Sequence, residues 1–187
     1  QKVLYEKLLH SPITQKRKVV IIRGGPGTGK SVLSFNLLYG MLKRGKNAVL
    51  SAPNAAFRDV MVKRLQQSGM KKNSRNKKDP MVLNSIISGS SSFYQLDEYL
   101  YDVVIVDEAH RLKDRRAYQY YGENQIHDII NASRLSIFFV DDTQSVRLED
   151  VGNIKNISEA ARLFDADVSE YTLEIQFRCS GMQGYIN

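Results

Sequence analysis

The stretch "VVIIRGGPGTGKSVL", residues 19–33, decides how the rest of the chain is read. Four β-branched apolar residues lead into a glycine-rich turn around Pro26, and Lys30 and Ser31 then open an apolar helical pattern. A short, continuous apolar run of this kind belongs to a strand buried on both faces of a parallel sheet. The turn fits G-x-x-x-x-G-K-[ST], with Gly24, Gly29, Lys30 and Ser31 at the fixed positions. Glycines allow successive backbone amides to point inward without Cβ clashes, and the following helix adds its positive end. That chemistry suits a phosphate. Residues Gly25, Pro26, Gly27, Thr28, Gly29, Lys30 and Ser31 are therefore expected to cradle a nucleotide. Lys30 would reach the β- and γ-phosphates, and the Ser31 hydroxyl would serve Mg²⁺. A ligand-free strand-to-helix turn has no use for a lysine and a serine at the helix mouth.

The same kind of run recurs at "VVIV" (103–106) and "IFFV" (137–140), with weaker candidates at "NAVLSA" (47–52) and "MVLNSII" (81–87). "YTLEIQF" (171–177) alternates, as an edge or final strand does. Helical stripes lie between them. They comprise Val3, Leu4, Leu8 and Leu9; Leu33, Leu37, Leu38, Met41 and Leu42; Phe57, Val60, Met61 and Leu65; Ile126, Ile129 and Ile130; and Ala160, Ala161, Leu163 and Phe164. Gly45 is positioned to cap the second of these. Strands alternating with helices predict one α/β domain over 1–187, a three-layer sandwich on a mostly parallel sheet. Functional residues in such sheets sit just past the carboxyl ends of the strands.

Past "VVIV" stand Asp107 and Glu108. Adjacent carboxylates at the end of an apolar strand repel each other unless a cation or proton is shared. Asp107 is expected to hold Mg²⁺, and Glu108 to accept a proton from an attacking water. A phosphotransferase has less need of the second carboxylate, so the pair favours hydrolysis. His110 completes "DEAH", either as a structural hydrogen-bonder or as a link from the nucleotide site to the rest of the domain. Past "IFFV" stand Asp141, Asp142, Thr143 and Gln144; the neutral amide of Gln144 can touch a γ-phosphate or orient water without adding charge. Arg178, after the last strand-like segment, is a candidate to stabilise γ-phosphate charge.

The 187 residues are 42% hydrophobic and 25% charged, enough apolar content for a packed core. Twenty-seven Lys and Arg against 20 Asp and Glu leave a net charge of +7. Five of these cations lie in "KKNSRNKK" (71–78), and without them the balance drops to +2. The basicity is local, either a patch for polyanions or a solvated loop. A single cysteine, Cys179, forms no internal disulfide, which fits a reducing, cytoplasmic setting. No apolar run approaches the roughly 18 residues of a membrane span, and the polar opening residues argue against a signal peptide.

Taken together, these stretches resemble the first RecA-like domain of superfamily 1 helicases, and more narrowly the P-loop helicase-like domains of Schlafen-related and uncharacterised bacterial proteins. "GGPGTGKS" resembles motif I, "VLSAPNAAF" (49–57) motif Ia, "VVIVDEAH" motif II, "VDDTQS" (140–145) motif III and "QFRCS" (176–180) motif IV. The resemblance implies ATP and Mg²⁺ as ligands and nucleic acid, single-stranded or duplex, crossing near Ser51–Phe57 with help from Lys71–Lys78. It also implies a second RecA-like domain in the full-length chain, expected after residue 187. Lys30, Glu108, Gln144 and Arg178 would then be the catalytic set. The resemblance further implies an adenine-reading glutamine upstream, with Gln1 favoured over Gln15. Val140 departs from the glycine usual in motif III. Two other readings compete with a motor ATPase: an ATP-dependent switch that changes partners, and a P-loop kinase.

Overall fold

A computed structural model describes residues 1–52, 58–63, 86–118, 120–141, 143–144 and 150–174. Several expectations fall outside these residues: 53–57 of the motif Ia stretch, Lys71–Lys78, residues 81–85 of a candidate strand, residues 175–177 of another, Cys179 and Arg178.

The described chain runs α1 (Lys2–Leu9), β1 (Lys18–Gly24), α2 (Lys30–Lys43), β2 (Ala48–Ser51), β3 (Ile87–Ser88), β4 (Tyr101–Val106), α3 (Gln125–Ala132), β5 (Ser133–Val140), α4 (Ile154–Leu163) and β6 (Asp167–Leu173). Residues 58–63 are also helical. The six strands form one sheet in the order β3-β2-β4-β5-β1-β6, and every pairing is parallel. Parallel strands need crossover connections, so helices cover both faces. Alternation along β1 sends Val20 and Ile22 to one face and Val19 and Ile21 to the other. The first face packs on Leu8 of α1 and on Leu33, Leu37, Leu38 and Met41 of α2. The second packs on Ile126, Ile129 and Ile130 of α3 and on Ile157, Ala160 and Ala161 of α4. This is the expected three-layer α/β sandwich.

Local signals explain the element ends. Asn124 and Asn153 accept hydrogen bonds from Ile126 N and Asn156 N, capping α3 and α4. Gly45 takes φ of 72°, and the amides of Gly45 and Lys46 bond back to Leu42 and Met41, closing α2 as its sequence predicts.

Three expectations shift. Val3 is 83% exposed and Leu163 is 74% exposed, although each sits in an apolar stripe. At about 100° per residue, Val3 lies opposite the Leu4–Leu8 face, and Leu163 lies well off the face formed by Ile157, Ala160 and Ala161. The final strand begins at Asp167, four residues before the alternating stretch read from sequence. Its exposed and half-buried pattern is that of an edge beside β1.

The sheet order positions the site. β5 lies between β4 and β1. The turns leaving these three strands are far apart in sequence but occupy adjacent positions on one rim.

Candidate active site

The turn after β1 folds as its glycines require. Gly27 and Gly29 take φ of 75° and 80°, in the left-handed region that side chains avoid. A Cβ on Gly24 would meet Thr28 Oγ1 at 2.6 Å and Leu173 Cβ at 3.2 Å, which keeps that position small. Thr28 Oγ1 donates to Gly25 O at 2.8 Å and tightens the loop. Lys30 is buried at the start of α2, with its ammonium donating to Gly24 O (2.5 Å), Gly25 O (2.8 Å) and Asp141 Oδ2 (3.1 Å). Its three protons are matched by three acceptors.

Asp141 comes from the turn after β5, and its side chain is fully buried. Thr143 donates to Oδ1 from its amide (3.0 Å) and hydroxyl (2.7 Å), while Lys30 and Gln144 Nε2 (3.0 Å) donate to Oδ2. Burial alone would raise its pKa, but the hydrogen bonds from Thr143, Lys30 and Gln144 outweigh it and hold the carboxyl down to about 2. The sequence marks Asp141 only as a motif position. Its pairing with Lys30 is visible only in three dimensions.

The turn after β4 supplies Asp107 and Glu108. Asp107 is buried and accepts from the Ser31 hydroxyl and from Glu108 N. Burial pushes its carboxyl above the ordinary range; the Ser31 hydrogen bond opposes this, and the neighbouring Glu108 adds to it. Glu108 has φ of 50° and ψ of 48°. A non-glycine residue in that conformation is strained, and such strain gathers at functional turns. Its carboxylate meets Arg111 Nε at 3.1 Å.

His110 is buried and joins the two turns. Its Nδ1 accepts from the Asp141 amide at 3.4 Å. An amide can only donate, so the ring proton sits on Nε2, which donates to Gln144 Oε1 at 3.1 Å. A continuous chain thus runs from His110 through Gln144 and Asp141 to Lys30. His110 is thus a buried hydrogen-bonding residue between the turns that follow β4 and β5.

Pro26 through Ser31, with Asp107, Glu108 and Gln144, line one cleft of about 270 Å³ at the carboxyl rim of β1, β4 and β5, and Gly25 borders it through its bond to Lys30. Gln1 Nε2 donates to Thr28 O at 2.5 Å, and a neighbouring cleft of about 300 Å³ lies among Gln1, Tyr5, Val32, Asn36 and Tyr39. Gln15 is exposed just before β1, at the far end of that strand. Sequence reasoning gave no hint of Gly152. A Cβ there would stand 1.6 Å from the carbonyl oxygen of Ala109, so the 150–153 segment lies directly on the Asp107–Arg111 turn.

A family model for the Schlafen group 3 DNA/RNA helicase domain matches residues 17–187. The chain belongs to that family. This Schlafen group 3 domain is also similar in fold to the Pyrococcus furiosus Hef helicase domain, with a TM-score of 0.52 and 14% identity, covering 91% of this chain and 37% of that one. AMPPCP-bound DnaA from Aquifex aeolicus aligns with a TM-score of 0.45 and 16% identity, over 92% of this chain and 45% of that one. The Schlafen group 3 domain thus spans less than half of either chain. No curated protein matches it. Among its described residues no helix is long and apolar enough to cross a membrane, and no group of three or more His, Cys, Asp or Glu could hold a metal unaided.

Proposed function

We propose that this domain binds ATP and hydrolyses it with Mg²⁺, as the first motor domain of a superfamily 1-like helicase or translocase. One observation carries the reading: the Lys30 ammonium rests on the Asp141 carboxylate at the mouth of a glycine cradle. An anion already neutralises the lysine where a phosphate would take over. The Ser31 hydroxyl donates to Asp107, and the two oxygens would hold a dication in place of that hydrogen bond. Magnesium binds through few protein ligands plus phosphate oxygens, so the oxygens of Ser31 and Asp107 fit it. When bound, Mg²⁺ would supply charge neutralisation of the phosphates.

The chain's own residues do the remainder. The amides of Gly27 to Lys30 and the end of α2 hold the phosphates. Glu108 takes the proton of the attacking water. Gln144, tied to Asp141 and His110, reports whether a γ-phosphate has drawn Lys30 away. Arg178 is proposed to stabilise γ-phosphate charge, with a second RecA-like domain of the full-length protein closing the site. The contact of Gln1 with the loop supports it over Gln15 as the adenine reader. Nucleic acid is proposed to cross beyond β2 near Ser51–Phe57, assisted by Lys71–Lys78.

Calorimetry with Mg·ATP is the direct test. Saturable heat in the native protein, lost in Lys30→Ala, is expected. No heat with any nucleoside triphosphate would end the proposal. Turnover unaffected by any nucleic acid, with ATP-dependent capture of a partner, would favour the switch reading instead.

A further inference from the structure

A second cleft, of about 530 Å³, opens on the other side of the Asp107–Arg111 turn. Its walls carry three cations, Arg58, Arg111 and Lys113, against one acid, Asp150, together with the hydroxyls of Ser90 and Ser91. Lys113 pairs with Asp150, and Arg58 donates to Ala52 O at 2.8 Å, just past β2. Three cations against one acid leave the lining net positive. Guanidinium, ammonium and hydroxyl donors are the set that recognises phosphodiesters. Gln144 lines both this cleft and the nucleotide cleft. The short Asp107–Arg111 turn contributes to both linings, and its two ends are ion-paired: Arg111 lines the outer cleft and Glu108 the inner one.

We propose that Arg111 alternates between Glu108 and a phosphodiester of a nucleic-acid strand in the outer cleft, so that strand binding releases Glu108 to act on water. The inference rests on the reading of the inner cleft as an ATPase site and assigns that site's control. The Glu108–Arg111 pair is half exposed, with side chains 34% and 54% accessible, and pairs of that kind are weakly held. A guanidinium stays charged throughout and binds phosphate in a two-pronged geometry that a single contact through Nε does not match. A phosphodiester therefore competes well for Arg111. While Arg111 Nε holds Glu108 Oε2, that oxygen is occupied and is not offered to an attacking water, so Glu108 is restrained until Arg111 departs. Arg111 is thus a positioning residue.

The test uses the full-length protein, Arg111→Gln and Arg111→Lys, with a twenty-nucleotide single strand, poly-glutamate and inorganic phosphate as separate probes. Arg111→Gln is expected to raise basal kcat several-fold at unchanged KM for ATP, and to lose most of the stimulation by the oligonucleotide. Without nucleotide, its fluorescence-anisotropy affinity for the strand is expected to fall, with the salt slope reduced by about one. Arg111→Lys is expected to retain part of both responses, which separates the switch from misfolding. Unchanged basal turnover with full stimulation in Arg111→Gln overturns the switch and leaves the ATPase reading standing. Equal stimulation of the native protein by poly-glutamate or free phosphate overturns the phosphodiester assignment. A native protein that hydrolyses ATP yet ignores every strand sinks the switch alone, whereas one that binds no nucleotide sinks the ATPase reading as well.

Discussion

Two ion pairs flank the candidate site at the same distance, 3.1 Å: Lys30 with Asp141, and Arg111 with Glu108. The first is buried, its side chains 10% and 0% accessible, and each partner has further hydrogen bonds. The second is half exposed and local, spanning one turn. Distance alone would call them equal. Desolvation separates them, because removing one partner of a buried pair leaves an uncompensated charge, while water replaces a partner lost at the surface. The buried pair fixes the geometry of the rim, and the exposed pair is free to exchange.

Breaking the buried pair should have the largest effect. Lys30→Ala is expected to abolish nucleotide binding and to cost about 3 kcal/mol of stability, because Asp141 is left charged and buried. Adding Asp141→Asn should restore much of that stability in chemical denaturation without restoring hydrolysis. The same pairing sets an acid limit. Asp141 has a folded pKa of about 2, below its unfolded value, so its contribution is present at neutral pH and fades as pH falls through the ordinary carboxylate range toward 2. Acid unfolding that is identical in native protein and Asp141→Asn would contradict this.

Glu108→Gln comes next. Hydrolysis should fall at least about a hundredfold while Mg·ATP binding by calorimetry persists. Near-native turnover would remove Glu108 from the role of base. Gly152→Ala should follow, at about 2 kcal/mol or more by thermal denaturation, because the new methyl cannot coexist with the Ala109 carbonyl. A neutral result would show that the 150–153 segment does not brace the turn.

Asp107 sharpens the comparison through pH. Burial raises its pKa, so the folded protein holds this proton more tightly than the unfolded chain does, and ionising it as pH rises opposes folding. A protonated carboxyl is a poor Mg²⁺ ligand, so affinity for Mg·ATP should weaken as pH is lowered into Asp107's elevated range. Asp107→Asn should melt higher than the native protein at neutral pH yet lose magnesium-dependent hydrolysis. The smallest stability effect belongs to the exposed pair: Arg111→Gln should change stability by less than about 0.5 kcal/mol. A loss as large as that of Lys30→Ala would erase the distinction between the two pairs.

Much of this was legible before the fold. Three apolar runs ending in glycines, acids or an amide located the strands β1, β4 and β5 and the turns that leave them, because a doubly buried strand has no polar positions to spare. Gly45, Asn124 and Asn153 carried their capping chemistry openly. The errors came where an apolar residue lay off its helical face, as with Val3 and Leu163, because composition reports hydrophobicity and only packing reports direction.

Residue type and spacing by themselves determined the cradle, the paired acids and the parallel sheet, since backbone sterics and strand burial act over a few neighbouring positions. Only the tertiary structure decided that β5 lies between β4 and β1, that Lys30 is held by Asp141, that His110 bridges to Gln144, and that Gly152 must have no side chain. These contacts join residues about thirty or more positions apart. Their partners are chosen by strand order and close packing, which no local stretch of the chain encodes.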